Sequence, residues 1–165
     1  AKFAPAGLAL IAVAVLAVVF GVVGAVVGYN QWQGQNIADS RTAASDVAGS
    51  AAAKIFSYQY NQLPQHLAEA QATMTPSFAK KFKEISPALN ALAPQRKIQV
   101  KAVVRDAATV ECGDACSTTK ANVLIFIDQA RVADGAKTPT VFGNRILVSM
   151  VKAHGRWLVS DIKAL

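Results

Sequence analysis

The two cysteines are the residues with the most reactive side chains in this sequence. Cys112 and Cys116 enclose the short segment CGDAC. A structural zinc site needs four ligands, and the two histidines, His66 and His154, lie in unrelated segments. In an oxidising compartment a disulfide in this loop would contribute about 2 kcal/mol in the loop-entropy model. We therefore predict a disulfide between Cys112 and Cys116 and no metal site, with free thiols as the alternative.

The sequence carries no motif of nucleophilic or phosphate chemistry. It has no G-x-S-x-G, no phosphate-binding glycine loop and no H-E-x-x-H. Asp128 and Asp161 lie on predicted strands, where pairing with Lys or Arg is expected rather than catalysis, and His154 lies at a predicted turn. The sequence therefore predicts a non-enzymatic protein with no catalytic residues and no cofactor.

The charge balance favours an anionic surface or an acidic partner only weakly. The 17 Lys and Arg residues exceed the 10 Asp and Glu residues, for a net charge of +7. The densest basic group has no interleaved aromatic residues and is expected to be a solvated face, so a nucleic-acid partner is not predicted. Its members are Lys80, Lys81, Lys83, Arg96, Lys97, Lys101 and Arg105.

An uncharged apolar segment, GLALIAVAVLAVVFGVVGAVV, runs from Gly7 to Val27. At about 1.5 Å per residue a helix of this length spans about 30 Å, the thickness of a bilayer core. A cleaved signal peptide is the alternative, but its apolar region is about 7 to 15 residues long. The sequence therefore predicts a single transmembrane anchor, with residues 1–35 as anchor and interfacial linker.

The residues around this segment predict its depth and orientation. Tyr29 and Trp32 lie where interfacial aromatic residues are expected. No Lys or Arg occurs between Val27 and Arg41. This favours a cytoplasmic amino end and an extracytoplasmic domain in the cell membrane.

Small residues recur along one side of the predicted membrane helix. Small residues at a spacing of four let a second helix approach closely. A helix-packing face is therefore one reading, although small residues are common in such helices. The candidate positions are Gly21, Gly24, Ala25 and Gly28.

Helices are predicted in the first half of the remaining chain, residues 36–165. The spacing of three and four predicts an Ala-rich amphipathic helix over residues 36–63. Pro64 should break it, and a short helix over residues 66–74 follows. Thr75-Pro76 and Ser86-Pro87 each pair a cap residue with a proline at the first helical position.

Alternation with a period of two replaces the helical period after Pro94. Strands are predicted near Ile98–Arg105, Ala121–Gln129, Asn144–Lys152 and Arg156–Ala164. Helices followed by an antiparallel meander indicate an α+β class, here about three helices packed on a curved four-stranded antiparallel sheet.

The last two strands form a predicted hairpin with apolar residues on both faces. A two-residue His154-Gly155 turn would place Lys152 over the ring of Trp157. Either the sheet curls to bury both faces, or one face meets another protein. We predict the second, with self-association as one form of it. The predicted partner interface consists of Phe126, Val148, Met150, Trp157 and Val159.

Several segments resemble the actinobacterial Mce-associated membrane proteins. They are IFSYQYNQL, MTPSFAKKF, ANVLIFIDQ and the terminal RILVSMVKAHGRWLVSDIKAL, so that the resemblance covers essentially the whole chain. It is one of pattern rather than of a catalytic signature. The His154 turn and the CGDAC loop depart from what is expected throughout that family.

The resemblance implies a nuclear transport factor 2-like fold and a role beside Mce complexes, which import lipids or sterols through a permease. We therefore expect a single-pass accessory subunit that docks onto other membrane-complex subunits of Mce or permease type and contacts the lipid bilayer. Scaffold subunits of type IV secretion or conjugation systems look similar and are the first alternative. A small apolar-ligand-binding or isomerase-like domain is the second.

Overall fold

A computed structural model gives the fold of the chain. It describes the backbone of residues 5–113 and 116–165, and side chains at residue 18, at 20–113 and at 116–165. The first helix, α1, is long and runs Pro5–Phe56. The chain divides into two units, Ala1–Ala38 and Asp39–Leu165.

Apart from the partly buried Asn36, the side chains described in the first unit are exposed. Val22, Val26 and Trp32 are more than half exposed. Within the described residues, no helix combines the length and the apolar character needed to cross a bilayer. The side chains of residues 7–17, the first half of the predicted crossing, lie outside the described residues.

The second unit contains the end of α1, two further helices and one antiparallel sheet. The strand order is β1-β2-β3-β4-β5, with neighbours in sequence paired throughout. The predicted α+β class is confirmed, but the predicted count of four strands is wrong, because a fifth, very short strand adds to the sheet. The elements are β1 Tyr58–Gln59, α2 Leu63–Gln71, α3 Pro76–Gln95, β2 Gln99–Val110, β3 Lys120–Val132, β4 Thr140–Ala153 and β5 Arg156–Ala164.

The extra strand β1 explains why the first helix ends earlier than predicted. Tyr58 pairs with Val100, and the helix therefore ends at Phe56 rather than at Leu63. Pairing with a sheet edge satisfies backbone groups that a further helical turn would otherwise have satisfied. Pro64 lies in the first turn of α2, where its missing N–H costs nothing.

Helix α3 begins as predicted and continues where a second start was predicted. Thr75 caps it, its Oγ1 accepting a hydrogen bond from the N–H of Phe78 at 3.3 Å. The helix passes through Pro87 without ending, contrary to the predicted second start. The later part is held by packing, because Ala93 beyond the proline is fully buried.

The closing hairpin has the predicted turn and, near it, the predicted register. His154 has φ of 50° and Gly155 has φ of 77°, as a type I′ turn requires. Lys152 pairs with Trp157 and Met150 with Val159. Beyond that point a β-bulge shifts the register by one residue, so that Val148 faces Ile162 instead of Asp161.

A second bulge lies in β2 between Val104 and Asp106. Bulges increase the local twist of a strand, and the long strands β2, β3 and β4 therefore curl. The architecture fits a nuclear transport factor 2-like fold.

The helices pack on one face of the curled sheet, here called the core face. Ala44, Ala48 and Ala52 of α1 are at most 1% exposed, because small side chains let the helix approach closely. A Cβ on Gly49 would lie 3.5 Å from the Cβ of Ala107 on β2. The strands contribute the largest fully buried side chains, among them Val123, Ile125, Ile127, Val148, Met150 and Val159.

Candidate functional site

Four of the five predicted partner-interface residues lie on the core face. Val148 and Met150 are 1% exposed, Trp157 is 7% exposed and Val159 is fully buried. They pack in the same cluster as residues of α1 and of the α2–α3 junction. This corrects the predicted surface, because the protein's own helices cover these side chains. Phe126, which is 42% exposed, lies on the opposite face.

The opposite face of the sheet, here called the outer face, keeps apolar side chains in contact with solvent. Val103 is 43% exposed on β2, close to the position of Phe126 on β3. Leu124 and Leu147 pair beside Phe126 and are partly buried. Leu158 extends the same face onto β5. An antiparallel sheet with helices on one side usually has a polar second face, so this composition is unusual.

An ion pair borders the outer face. Arg105 Nε donates to Asp128 Oδ2 at 2.6 Å, and both residues are partly exposed. Asp128 is therefore an ion-pair residue, as the sequence indicated. Asp161 lies on β5 opposite Ser149, and His154 lies at the exposed turn. The structure thus does not bring Asp128, Asp161 and His154 together.

An apolar groove lies between α3 and one end of the sheet, where it crosses strands β1 to β4. Its volume is about 320 Å³. Ile85 and Phe142 are exposed by 63% and 45%, which is high for such large apolar side chains. The walls consist of Ile55, Phe56, Tyr58, Phe82, Ile85, Leu89, Val100, Gln129, Arg131 and Phe142.

Arg131 is the one charged residue among those that line the groove. Its guanidinium carbon lies 5.8 Å from the centre of the Phe142 ring. The ion pairs formed by the described residues do not include Arg131. Asp134, a neighbouring carboxylate, is held instead by Arg96, at 2.6 Å and 3.2 Å from its Oδ2. This bond is the main reason that the pKa of Asp134 is lowered.

A polar pocket of about 470 Å³ lies on the other side of Tyr58. The rings of Tyr58 and His66 are 5.9 Å apart between centres. Burial raises the pKa of Tyr58, and the charge of Arg131 opposes that shift. The pocket is lined by Ser57, Tyr58, Gln59, Gln62, Gln65, His66, Glu69, Val100, Lys101 and Ala102.

His66 is the histidine of this pocket. Burial lowers its pKa, opposed by the backbone carbonyl of Ile55 and the carboxylate of Glu69. Its Nε2 is buried and has no hydrogen-bond partner among the described residues. In a neutral imidazole one ring nitrogen donates a hydrogen bond and the other accepts one.

The pocket lacks the arrangement of an activated nucleophile. Ser57 Oγ accepts a hydrogen bond from the N–H of Ala102 at 2.9 Å, which gives the serine a structural role. Among the described residues, no hydrogen bond joins a hydroxyl group to His66. Nucleophile and base must be in such contact for covalent catalysis. The pocket is therefore suited to polar binding contacts.

The sequence did not indicate the groove or the polar pocket. Tyr58 lines both, whereas the sequence pattern places it within the predicted helix of residues 36–63. The two sets of lining residues come from segments as far apart as Ile55 and Phe142. The one local signal was the aromatic segment SYQY after a long helix, which marks the start of β1.

The cysteine loop and the predicted interfacial residues are local features. A disulfide joins Cys112 and Cys116, whose Cα atoms are 5.4 Å apart. The rings of Tyr29 and Trp32 lie 6.4 Å apart between centres, and both residues are mostly exposed. Within the described residues, no group of three or more His, Cys, Asp or Glu side chains is placed to hold a metal ion.

The predicted helix-packing residues lie on the exposed surface of α1. A Cβ built on Gly21, Gly24 or Gly28 would meet nothing within 4 Å. Ala25 is exposed as well. These positions leave room for a second helix, and their role as a packing face remains a prediction.

The sequence is similar to two mycobacterial proteins. It is 25% identical over 142 residues to Outer membrane protein Rv1973 of Mycobacterium tuberculosis, covering 84% of this chain and 86% of that one. It is 26% identical over 133 residues to Uncharacterized protein Rv1362c of the same species, covering 79% of this chain and 59% of that one. No protein-family model matches the chain.

The fold is similar to that of several solved protein domains. The periplasmic domain of DotI aligns with a TM-score of 0.63 at 15% identity, covering 75% of this chain and 94% of that one. VirB8 of Agrobacterium tumefaciens gives 0.59 at 10% identity, with 77% and 92% covered. CagV of Helicobacter pylori, a VirB8 homolog of its type IV secretion system, gives 0.56 at 16%, with 72% and 96% covered. At these identities the likeness establishes a shared fold, and it extends over most of the second unit.

Proposed function

We propose that this chain is a non-enzymatic accessory subunit of an Mce-type lipid or sterol import complex in the cell envelope. Residues 7–27 anchor it in the cell membrane, with the amino end in the cytoplasm. The domain of residues 36–165 lies outside the membrane and docks onto another subunit of the complex. The Gly24 and Gly28 side of the anchor helix packs against a membrane helix of a partner.

Two kinds of relative support a role within an envelope assembly. One relative by sequence is named an outer membrane protein. The solved domains of the same fold include a VirB8 homolog of a type IV secretion system, that is, a component of a larger system. Neither relative is named as an enzyme.

The observation that carries the docking proposal is the exposed apolar centre of the outer face. Val103 and Phe126 are each more than two-fifths exposed, although they lie on the central strands β2 and β3. Leu124 and Leu147 extend this surface. Large aromatic and aliphatic side chains at the centre of a surface are typical anchors of protein interfaces. The proposed occupant is another protein subunit of the same complex.

Purification of the full chain from its native membrane in mild detergent tests this proposal. We expect Mce or permease subunits to co-purify with the unaltered chain and to be lost from Phe126→Glu. Leu92→Glu is the matched control, because Leu92 is 56% exposed on α3, away from the outer face. Co-purification that survives Phe126→Glu would contradict docking through this face.

Protease protection tests the orientation of the chain. In cells with an opened envelope and an intact inner membrane, we expect added protease to digest the domain of residues 36–165. A tag at the amino end should stay protected. Protection of the domain would contradict the proposed orientation.

A scaffold subunit of a secretion or conjugation system is the second candidate. The solved domains from such systems favour it, because they share the fold over 72–77% of this chain. The same purification separates the two candidates. Conjugation or secretion subunits among the co-purifying chains would favour the scaffold role, and Mce or permease subunits would favour the lipid-import role.

A further inference from the structure

The groove between α3 and the end of the sheet has the size and the walls of a ligand site. Its volume of about 320 Å³ falls at the lower end of the range of about 300–1,000 Å³ that is usual for ligand pockets. A volume at this end of the range suits a short or medium apolar chain.

The walls of the groove leave apolar surface in water. Ile85 on α3 and Phe142 on β4 are exposed by 63% and 45%. Phe82 and Leu89 line the same side of α3 and are only partly buried. Removal of apolar surface from water is favourable, so an apolar chain in the groove would be stabilised by these walls.

Arg131 defines the charge that a ligand of this groove should carry. No Asp or Glu lines the groove, so Arg131 is its single charged residue. The neighbouring carboxylate of Asp134 is bound to Arg96. Gln129 also lines the groove. Its amide oxygen accepts a hydrogen bond from Asn144 Nδ2 at 2.8 Å, so only its NH2 group is available to a ligand. Guanidinium groups bind carboxylates and phosphates through paired hydrogen bonds.

We propose that this groove binds a medium-chain amphiphile with an anionic head. The head contacts Arg131, and the chain lies between Ile85 and Phe142. This site is separate from the outer face, so it does not depend on the docking proposal. It also differs from the carboxylate-lined cavity of an isomerase, since its charged group is a cation.

The test uses the full chain in amphipol with ¹³C-labelled isoleucine methyl groups, titrated with decanoate. We expect the methyl signals of Ile85 and Ile55, which line the groove, to shift with decanoate concentration. The signals of Ile125 and Ile146 in the core should stay unchanged, as an internal control. Decyltrimethylammonium, with the same chain and the opposite charge, should bind at least 10-fold more weakly.

Two variants test the contribution of the charged head group to binding apart from that of the apolar chain. Arg131→Gln should weaken decanoate binding at least 10-fold and leave decanol binding unchanged. Lys152→Gln is the matched control, because Lys152 also lies over an aromatic ring, 5.9 Å from the centre of Trp157, but outside the groove. It should leave decanoate affinity unchanged. Both residues are at the surface or partly so, so that both variants are expected to fold.

Equal affinity for the anionic and cationic probes, or an unchanged affinity in Arg131→Gln, would overturn the proposal. Shifts of Ile85 that depend on protein concentration alone would mean that a second copy fills the groove, which overturns it as well. Dihexanoylphosphatidylglycerol distinguishes the sources of the anion, since tighter binding of this probe than of decanoate would support a lipid phosphate as the head group.

Discussion

Val159 on β5 and Met74 at the α2–α3 junction lie side by side in a parallel bridge. The N–H of Val159 donates to the carbonyl of Thr73 at 2.9 Å, and its carbonyl accepts from the N–H of Thr75 at 2.8 Å. The helical half of the domain is thereby hydrogen-bonded to the last strand. The junction pairs with β5, the strand at one edge of the sheet. An unpaired edge strand can associate with a strand of another chain, and this pairing covers part of that edge.

Met74→Ala should destabilise the domain by about 2–5 kcal/mol. Met74 is 4% exposed, and truncation of a buried side chain of this size leaves a cavity. Denaturant unfolding measures the change. Leu92→Ala, at a position 56% exposed, should stay within about 0.5 kcal/mol of the unaltered chain. Equal stability of the two variants would contradict the packing described for the junction.

Met150→Glu and Phe126→Glu should have opposite consequences. Met150 is 1% exposed on the core face, so a carboxylate there would be buried without a partner and the domain should unfold. Phe126 is 42% exposed on the outer face, so that its replacement should preserve the fold. Circular dichroism of the two purified variants checks this. A folded Met150→Glu domain would argue against the assignment of the two faces.

The closing turn should be sensitive to Gly155 and tolerant at His154. Because Gly155 has φ of 77°, Gly155→Ala should cost about 1–2 kcal/mol. His154→Asn should be neutral or slightly stabilising, because Asn adopts positive φ more readily. Gly143→Ala is the control, since its new Cβ would meet only Asp128 Oδ1 at an ordinary 3.5 Å. Thermal unfolding of the three variants tests the ranking.

The stability of the domain should fall as the pH drops below the ordinary pKa of histidine. Burial lowers the pKa of His66 from 6.5, so the unfolded chain binds the proton more readily than the folded one. The contribution of neutral His66 is fully present above pH 6.5 and is lost as the pH falls through the lowered pKa of the folded state.

Denaturant unfolding between pH 4.5 and 8 measures this dependence. His66→Gln should flatten the slope below pH 6.5, whereas His154→Asn, at the exposed turn, should retain it. A slope that is unchanged in His66→Gln would assign the pH dependence to another group.

Replacement of both cysteines by serine should lower stability by about 2 kcal/mol in the loop-entropy model, because the ring between Cys112 and Cys116 is short. Mass spectrometry under non-reducing conditions establishes whether the purified chain holds the bond. A stability that is the same with and without reductant would show that the bond contributes nothing to folding.

Local patterns in the sequence predicted most of the regular structure. The Thr75-Pro76 start of α3 and the His154-Gly155 turn depend on backbone conformations that one or two neighbouring residues impose. The alternation along β2 and β5 likewise depends on nearby residues. The predictions were wrong where pairing with a distant segment outweighs a local preference. For example, Tyr58 pairs with Val100 of β2, and α1 therefore ends earlier than predicted.

The sequence could not predict which face of the sheet the helices cover, because both faces of the closing hairpin are apolar at their centre. Trp157 and Phe126 have similar local surroundings, yet Trp157 lies beneath the helices and Phe126 lies in solvent. The β-bulge between Ser149 and Met150 adds a shift that alternation alone does not indicate. The sequence thus determined the class of the fold and its closing turn. Only the packing of α1 and α3 on the sheet decided which residues are buried, because that packing joins segments far apart in the chain and creates the groove beside Arg131.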